Sequence, residues 1–377
     1  MLNRLMKYDL KIYVLGLFFS LVVFNTTHMQ LGTILPMSLM VIFTILFMTG
    51  KRKLKIEPYK VCFLLMALVL LSSTAFNAGQ DYRVIFKVFL LAFFYMIATS
   101  VDYKETEIRF FSKMIVYTYL LYALYLLFGT EKNEFYSRQT LIIFGSELDP
   151  NIVAAVFVLP IVLLLYNIIY EKKHRIINAV LLFLFVLAVV ITGSRGGFVG
   201  MLVSVSVLIF AFMSDKKIKL AYKIVAIVLI AIALFQVYTY LMSAYGDYLT
   251  RSLSFTGDTG GGDGRTAIWG ERLFLLSESP LFGCGMIFDK GLWHGWANHN
   301  TYVQVLYGSG FMGLILFIIP LIIIYRRSNN KLIMSALFFS VFIPIFFLDT
   351  LDNRLLWNAL IFFDIISRHD VKRVIAI

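Results

Sequence analysis

The chain has 377 residues, 60% hydrophobic and 15% charged, with 36 phenylalanines, a composition that excludes an ordinary soluble domain and indicates a polytopic membrane protein. The net charge of +12 raises nucleic acid as a partner, but the basic residues follow the loops on one side of the membrane, so no nucleic acid is expected. Cys62 lies in an apolar run and Cys284 in a loop, which leaves no disulfide within one compartment and no thiolate metal site.

A window of about 19 residues marks twelve apolar segments, near 12–28, 31–49, 60–77, 84–101, 114–129, 150–170, 176–192, 197–214, 220–243, 300–325, 331–348 and 354–367. The predicted fold is all-α, a polytopic membrane helix bundle of about 12 transmembrane helices, with 1–377 forming a single membrane domain. No cleavage site follows the first segment, which therefore reads as a retained span. If the N-terminus is cytoplasmic, most of the 34 Lys and Arg, including Lys51, Arg52, Lys172, Lys173, Lys216, Lys217, Arg326 and Arg327, fall on the inner side. The positive-inside rule selects that orientation, with both termini cytoplasmic and anionic inner-leaflet lipids as partners.

Every second helix then starts at the outer face, its positive dipole end directed outward. At the start of the fourth, Arg83 and Lys87 lie one turn apart on a common face, with Asp81 as a nearby partner. They either reach lipid phosphates or contribute to an anion site. The sixth segment opens on Asp149-Pro150-Asn151, an Asp suited to the N-cap followed by Pro in the first turn.

Between 176 and 213 a single polar interruption, Thr192 to Gly197, divides an apolar run about twice a bilayer crossing. An arginine at the bilayer centre costs about 2.5 to 3.5 kcal/mol, so the chain must turn here and hold Arg195 toward water. Glycine-flanked amides at a helix start, with an arginine beside them, have the makings of a phosphate site built from Ser194, Arg195, Gly196 and Gly197. Arg195 alone would serve equally as a headgroup anchor.

The loop 244–299 is the long outer one. Phe255 to Arg265, rich in glycine, reads as a flexible lid, and Thr266 to Ser277 as a short interfacial helix with Ile268, Trp269, Leu273, Phe274 and Leu276 on an apolar face. Arg265 supplies a second guanidinium, and two such forks match a diphosphate. The bland alternative is a solvated loop residue. His294, between Trp293 and Trp296, belongs to an aromatic interfacial belt. His299 immediately precedes an outward-starting helix whose dipole favours the neutral imidazole, a competent general base toward a hydroxyl; a helix-capping histidine is the alternative.

There is no Walker-type loop, Asp-x-Asp or His-x-x-x-His pair, which disfavours nucleotide-sugar and metal-dependent chemistry, so no metal and no cofactor are expected. Charges near the membrane midplane, the usual mark of coupled transport, are missing as well.

Asp149-Pro150-Asn151, Ser194-Arg195-Gly196-Gly197, Gly264-Arg265 with Trp269, Pro280 to Gly285, and His299-Asn300-Thr301-Tyr302 running to Gly310-Phe311-Met312-Gly313 together resemble the O-antigen ligase and polymerase superfamily. The resemblance covers about 149–313. It implies a glycosyltransferase of the bacterial cytoplasmic membrane whose active site faces the extracytoplasmic side, with an undecaprenyl-diphosphate-linked glycan as donor and a glycan acceptor. It further implies that Arg195 and Arg265 engage the donor diphosphate and that His299 activates the acceptor. Asn151, Asn300 and Tyr302 within these motifs, with Arg83 and Lys87, are candidate substrate contacts, and flippase and chain-length regulator proteins are expected partners. Members either polymerise repeat units into O-antigen, capsule or exopolysaccharide, or ligate finished polymer to lipid A core. The loop 244–299 is too short to fold as a separate acceptor-binding domain, and the Lys, Asn, Ile and Phe enrichment suggests a low-GC genome; both favour the polymerase, with the ligase as alternative and a lipid or solute transporter as the rival of another class.

Overall fold

The computed structural model describes residues 8–23, 30–49, 55–77, 82–130, 138–143, 146–171, 174–215, 223, 262–286 and 297–375. The expected helix over 220–243 (apart from residue 223), the stretch 244–261, Asp81, His294, Trp293 and Trp296 lie outside these residues.

The helices are α1 (Leu10–Ser20), α2 (Gln30–Met48), α3 (Pro58–Phe76), α4 (Tyr82–Thr99), α5 (Glu105–Phe128), α6 (Pro150–Tyr170), α7 (Arg175–Ile191), α8 (Arg195–Ser214), α9 (Gly262–Leu276), α10 (Thr301–Arg327), α11 (Lys331–Phe342), α12 (Arg354–Ser367) and α13 (Val371–Val374). Among the described residues, α3, α4, α5, α6, α8 and α10 are long and apolar enough to cross a membrane, while α1, Ile34–Met48, α7 and Lys331–Phe347 are shorter apolar segments. The all-α polytopic expectation therefore holds. Among the described residues strand is confined to one hairpin, β1 (Ile142–Ile143) antiparallel to β2 (Ser146–Glu147), with Ile142 opposite Glu147.

Three expected boundaries move, the first being the segment near 114–129, whose helix already begins at Glu105. The segment 331–348 stops as an α-helix at Phe342 and finishes as a 3-10 turn at Pro344–Phe347, because Pro344 has no N–H for the α-helical ladder. The glycine-rich lid is also revised: Gly262 to Arg265 form the first turn of α9 rather than a loop.

The chain divides into two compact units. Unit one comprises 1–111, 256–329 and 345–370, and unit two 112–255, 330–344 and 371–377. In unit one, α10 packs along α3, α3 on α4, and α12 on α4. Phe63 sits at their centre, its ring 5.0 Å from Tyr95, 5.3 Å from Trp357 and 5.9 Å from Phe317, separations at which edge-on aromatic contact is favourable. Buried Asp364 accepts hydrogen bonds from the hydroxyls of Tyr59 and Tyr95 and pairs with Arg368, which satisfies a carboxylate that would otherwise be costly to bury.

One stretch of unit one is irregular where backbone exposure would be least tolerable. α10 breaks at Gly310, whose φ of 64° and ψ of −167° suit glycine. The freed carbonyls of Tyr307 and Gly308 accept from the Cys284 and Gly285 amides at 2.7 and 3.0 Å, and Phe311 N–H donates to Pro280 O at 2.9 Å. Ser73 on α3 donates to Gly283 O at 2.7 Å. Every one of these groups finds its partner inside the protein, as non-helical backbone in an apolar bundle requires. A Cβ at Gly310 would lie 2.4 Å from the Leu281 carbonyl, so no larger residue fits.

In unit two, α6 packs against α7, α8 and α11. The helices approach closely because Gly197 faces Ala154, where an added Cβ would come within 2.5 Å of the Ala154 methyl.

Candidate active site

Unit two holds the Arg195 turn. α6 begins as its sequence demands: the Asp149 carboxylate accepts from Asn151 N–H at 2.8 Å, with Pro150 in the first turn. Its first turn fastens the turn before α8, since Ser194 Oγ donates to Asn151 Oδ1 at 2.9 Å. Ser194 is also the N-cap of α8, accepting from Gly197 N–H at 3.2 Å. Arg195 is the first residue of that helix and half-buried, whereas Ser194, Gly196 and Gly197 are buried.

These contacts sort the predicted phosphate residues by role. Gly197, expected to offer its amide to phosphate, has that amide taken by Ser194 and its Cα pressed to Ala154, so its lack of a side chain answers to packing. Asn151 likewise spends its side-chain oxygen within the protein. Arg195 remains at the opening of α8, where the positive end of the helix dipole adds to its own charge.

Arg138, a residue the sequence reading did not single out, completes this turn. Its Nε donates to Thr192 O at 2.9 Å, and its Nη2 to Asn151 Oδ1 at 3.0 Å and to Gly193 O at 3.3 Å.

Unit one holds His299. Its φ is 49°, left-handed and unusual for a residue with a side chain, a backbone state costing about 1 to 2 kcal/mol. Asp349 holds it there: one carboxylate oxygen accepts from His299 N–H at 3.1 Å and the other from Asn300 N–H at 3.2 Å. Burial, the dominant influence, lifts the Asp349 carboxyl above the usual carboxylate range, while the two amides and His299 pull it down. Asn300 then caps α10, its Oδ1 accepting from Tyr302 and Val303 amides at 2.9 and 3.1 Å. Further bonds tie the same two segments together, Thr301 Oγ1 to Leu348 O at 2.6 Å and Leu351 N–H to Gln304 Oε1 at 3.3 Å. His299 is thus a half-buried residue on a rigidly pinned turn.

Arg265 and Trp269 lie four residues apart, on one face of α9. Trp269 Nε1 donates to Asn298 O at 2.7 Å, which joins this face to the residue preceding His299. Tyr302 stands in an aromatic group with Phe346, 6.1 Å away, and Phe317, 6.5 Å away. Lys87 pairs with Asp352 at 3.6 Å, three residues beyond Asp349, and Arg83 is exposed one turn earlier. In unit one, therefore, Trp269 ties α9 to the segment carrying His299, Asn300 and Tyr302, and Lys87 is tied to Asp352, near the Asp349 that holds His299. Ser194, Arg195, Gly196, Gly197 and Asn151 form the separate group in unit two.

The interfacial reading of α9 changes in detail. Ile268, Arg272 and Leu276 form its buried stripe, with the Arg272 guanidinium 5.1 Å from the Tyr307 ring centre, while Leu273 and Phe274 are exposed on another face.

Helix length, hydropathy and packing define a polytopic all-α membrane protein whose functional candidates sit at helix starts. Residues 179–318, from α7 into α10, match the family model described as O-antigen ligase, and the match supports the O-antigen ligase and polymerase superfamily for this chain. The matched stretch includes Arg195, Arg265 and His299. No curated protein matches the chain.

Proposed function

We propose that this protein is a polymerase joining undecaprenyl-diphosphate-linked oligosaccharide repeat units into O-antigen, capsular or exopolysaccharide at the outer face of the cytoplasmic membrane. The observation that carries the reading is the coincidence, within one family-matched stretch, of an arginine opening a helix and a histidine pinned before another. In this reading Arg195 and Arg265 bind the donor diphosphate, and His299 takes the proton from an acceptor hydroxyl. The hydroxyl oxygen attacks the anomeric carbon, the bond from that carbon to the diphosphate oxygen breaks, and the lipid diphosphate departs. Preplaced cations lower the barrier by meeting charge as it develops on the leaving group. A single displacement inverts the anomeric centre.

The second reading, within the same enzyme class, is a ligase that transfers finished polymer to lipid A core, and the family match is common to both. A deletion strain separates the two. Accumulated single lipid-linked repeat units identify the polymerase; full-length polymer retained on its lipid carrier identifies the ligase, and an unchanged glycan profile contradicts both.

A further inference from the structure

The end of α7 presents a problem that the Arg195 turn must solve. The carbonyls of Ile191, the last residue of α7, and of Thr192, its C-cap, lie at the negative end of the helix dipole without the next turn's amides, and the carbonyl of left-handed Gly193 follows them directly. They lie within four residues of Arg195, where an anionic ligand would meet their repulsion. In this structure all three are covered by two consecutive residues from the preceding loop. Gln139 N–H donates to Ile191 O at 3.3 Å, Arg138 Nε to Thr192 O at 2.9 Å, and Arg138 Nη2 to Gly193 O at 3.3 Å. The same Nη2 reaches Asn151 Oδ1, the atom to which Ser194 Oγ also donates. A single guanidinium thus joins the end of α7, the start of α6 and the N-cap of α8.

We infer that Arg138 is a positioning residue for anion binding at Arg195. Resting on the diphosphate reading above, the inference is that Arg138 neutralises the negative end of α7 and fixes the Thr192–Ser194 backbone, so that Arg195 and the positive end of α8 face the ligand unopposed. A fork-shaped cation is required, because an ammonium cannot serve two carbonyls and an amide oxygen in one plane. The hairpin of β1 and β2 supplies the anchorage: Leu148 N–H donates to Leu141 O at 2.9 Å and Thr140 Oγ1 to Leu148 O at 2.5 Å, fixing the chain just after Arg138.

The test uses the full chain reconstituted in lipid nanodiscs, with farnesyl diphosphate as the probe and the dissociation constant as readout. Arg138→Ala should weaken binding about tenfold, the scale of losing hydrogen bonds from a charged group, and millimolar guanidinium should restore it. Arg195→Ala should weaken binding at least as much and resist that rescue. In the double variant the losses should not multiply, since Arg138 acts through Arg195. Arg138→Lys should fall between wild type and alanine with an unchanged melting temperature, which keeps the test available if the alanine variant fails to insert. Wild-type affinity in Arg138→Ala and Arg138→Lys beside a loss in Arg195→Ala overturns the inference alone, as do multiplicative losses. Wild-type affinity in Arg195→Ala overturns the diphosphate reading and this inference with it.

Discussion

The turns before α8 and α10 look alike in sequence, each a short polar group between apolar helices, yet they are held by opposite charges. Before α8, the Arg138 cation covers backbone carbonyls; before α10, the Asp349 anion gathers the backbone amides of His299 and Asn300. The choice follows what each turn is proposed to present. A turn that receives an anion is better held through its carbonyls, leaving positive charge outward. One that positions a histidine is free to occupy its amides with a carboxylate.

The comparison is broken most severely at Asp349. Asp349→Ala orphans two amides and releases a left-handed residue, at about 1 to 3 kcal/mol for each buried donor left unsatisfied; glycan synthesis should be nearly lost while the protein is still inserted, as judged by membrane fractionation. Wild-type glycan output in that variant would remove the pinning from the account. Packing has the next largest effect. Gly197→Ala drives a methyl to 2.5 Å from Ala154 and should destabilise by about 1 to 3 kcal/mol, visible as a lower melting temperature of the purified protein; an unchanged value would show that α8 moves away from α6 at no cost.

The acid response of Asp349 sharpens the contrast without deleting a side chain. Burial raises its folded-state pKa, so the folded protein binds more protons at this group than the unfolded chain, and its contribution to stability declines as pH rises from the ordinary carboxylate value of about 3.9 through the raised one. Asp349→Asn should flatten that part of the stability curve, and an identical slope in the variant would assign the ionisation elsewhere. Arg195→Lys should lower glycan output less than alanine does, because charge persists while bidentate contact is lost. The smallest effect is expected from a chelator, which should leave activity unchanged; a loss reversed by a divalent ion would contradict the metal-free mechanism.

Much of this was legible in the sequence, for local reasons. Asp149-Pro150 opens α6 as expected because cap chemistry acts within three residues, whereas Ser194 and Asn300, read as ligand contacts, are the caps of α8 and α10. Apolar length marked the spans. What escaped depends on partners far apart in the chain. Asp349 acts on an amide 50 residues away and Arg138 on carbonyls 54 and 55 residues away, and neither separation leaves a local pattern. A signal for Asp349 was present nonetheless: Asp349 and Asp352 follow an apolar run that ends on the expected side of His299. Gly197 was read for its backbone alone, since the pressure of Ala154 from another helix is visible only in the fold.

The central claim, that the Arg195 and His299 turns serve one glycosyl transfer, is tested most directly by the glycan chain-length ladder of strains carrying Arg195→Ala, Arg265→Ala or His299→Ala. The account predicts that each variant is inserted at normal abundance and that each ladder collapses to the single repeat unit. Normal ladders from all three would contradict it.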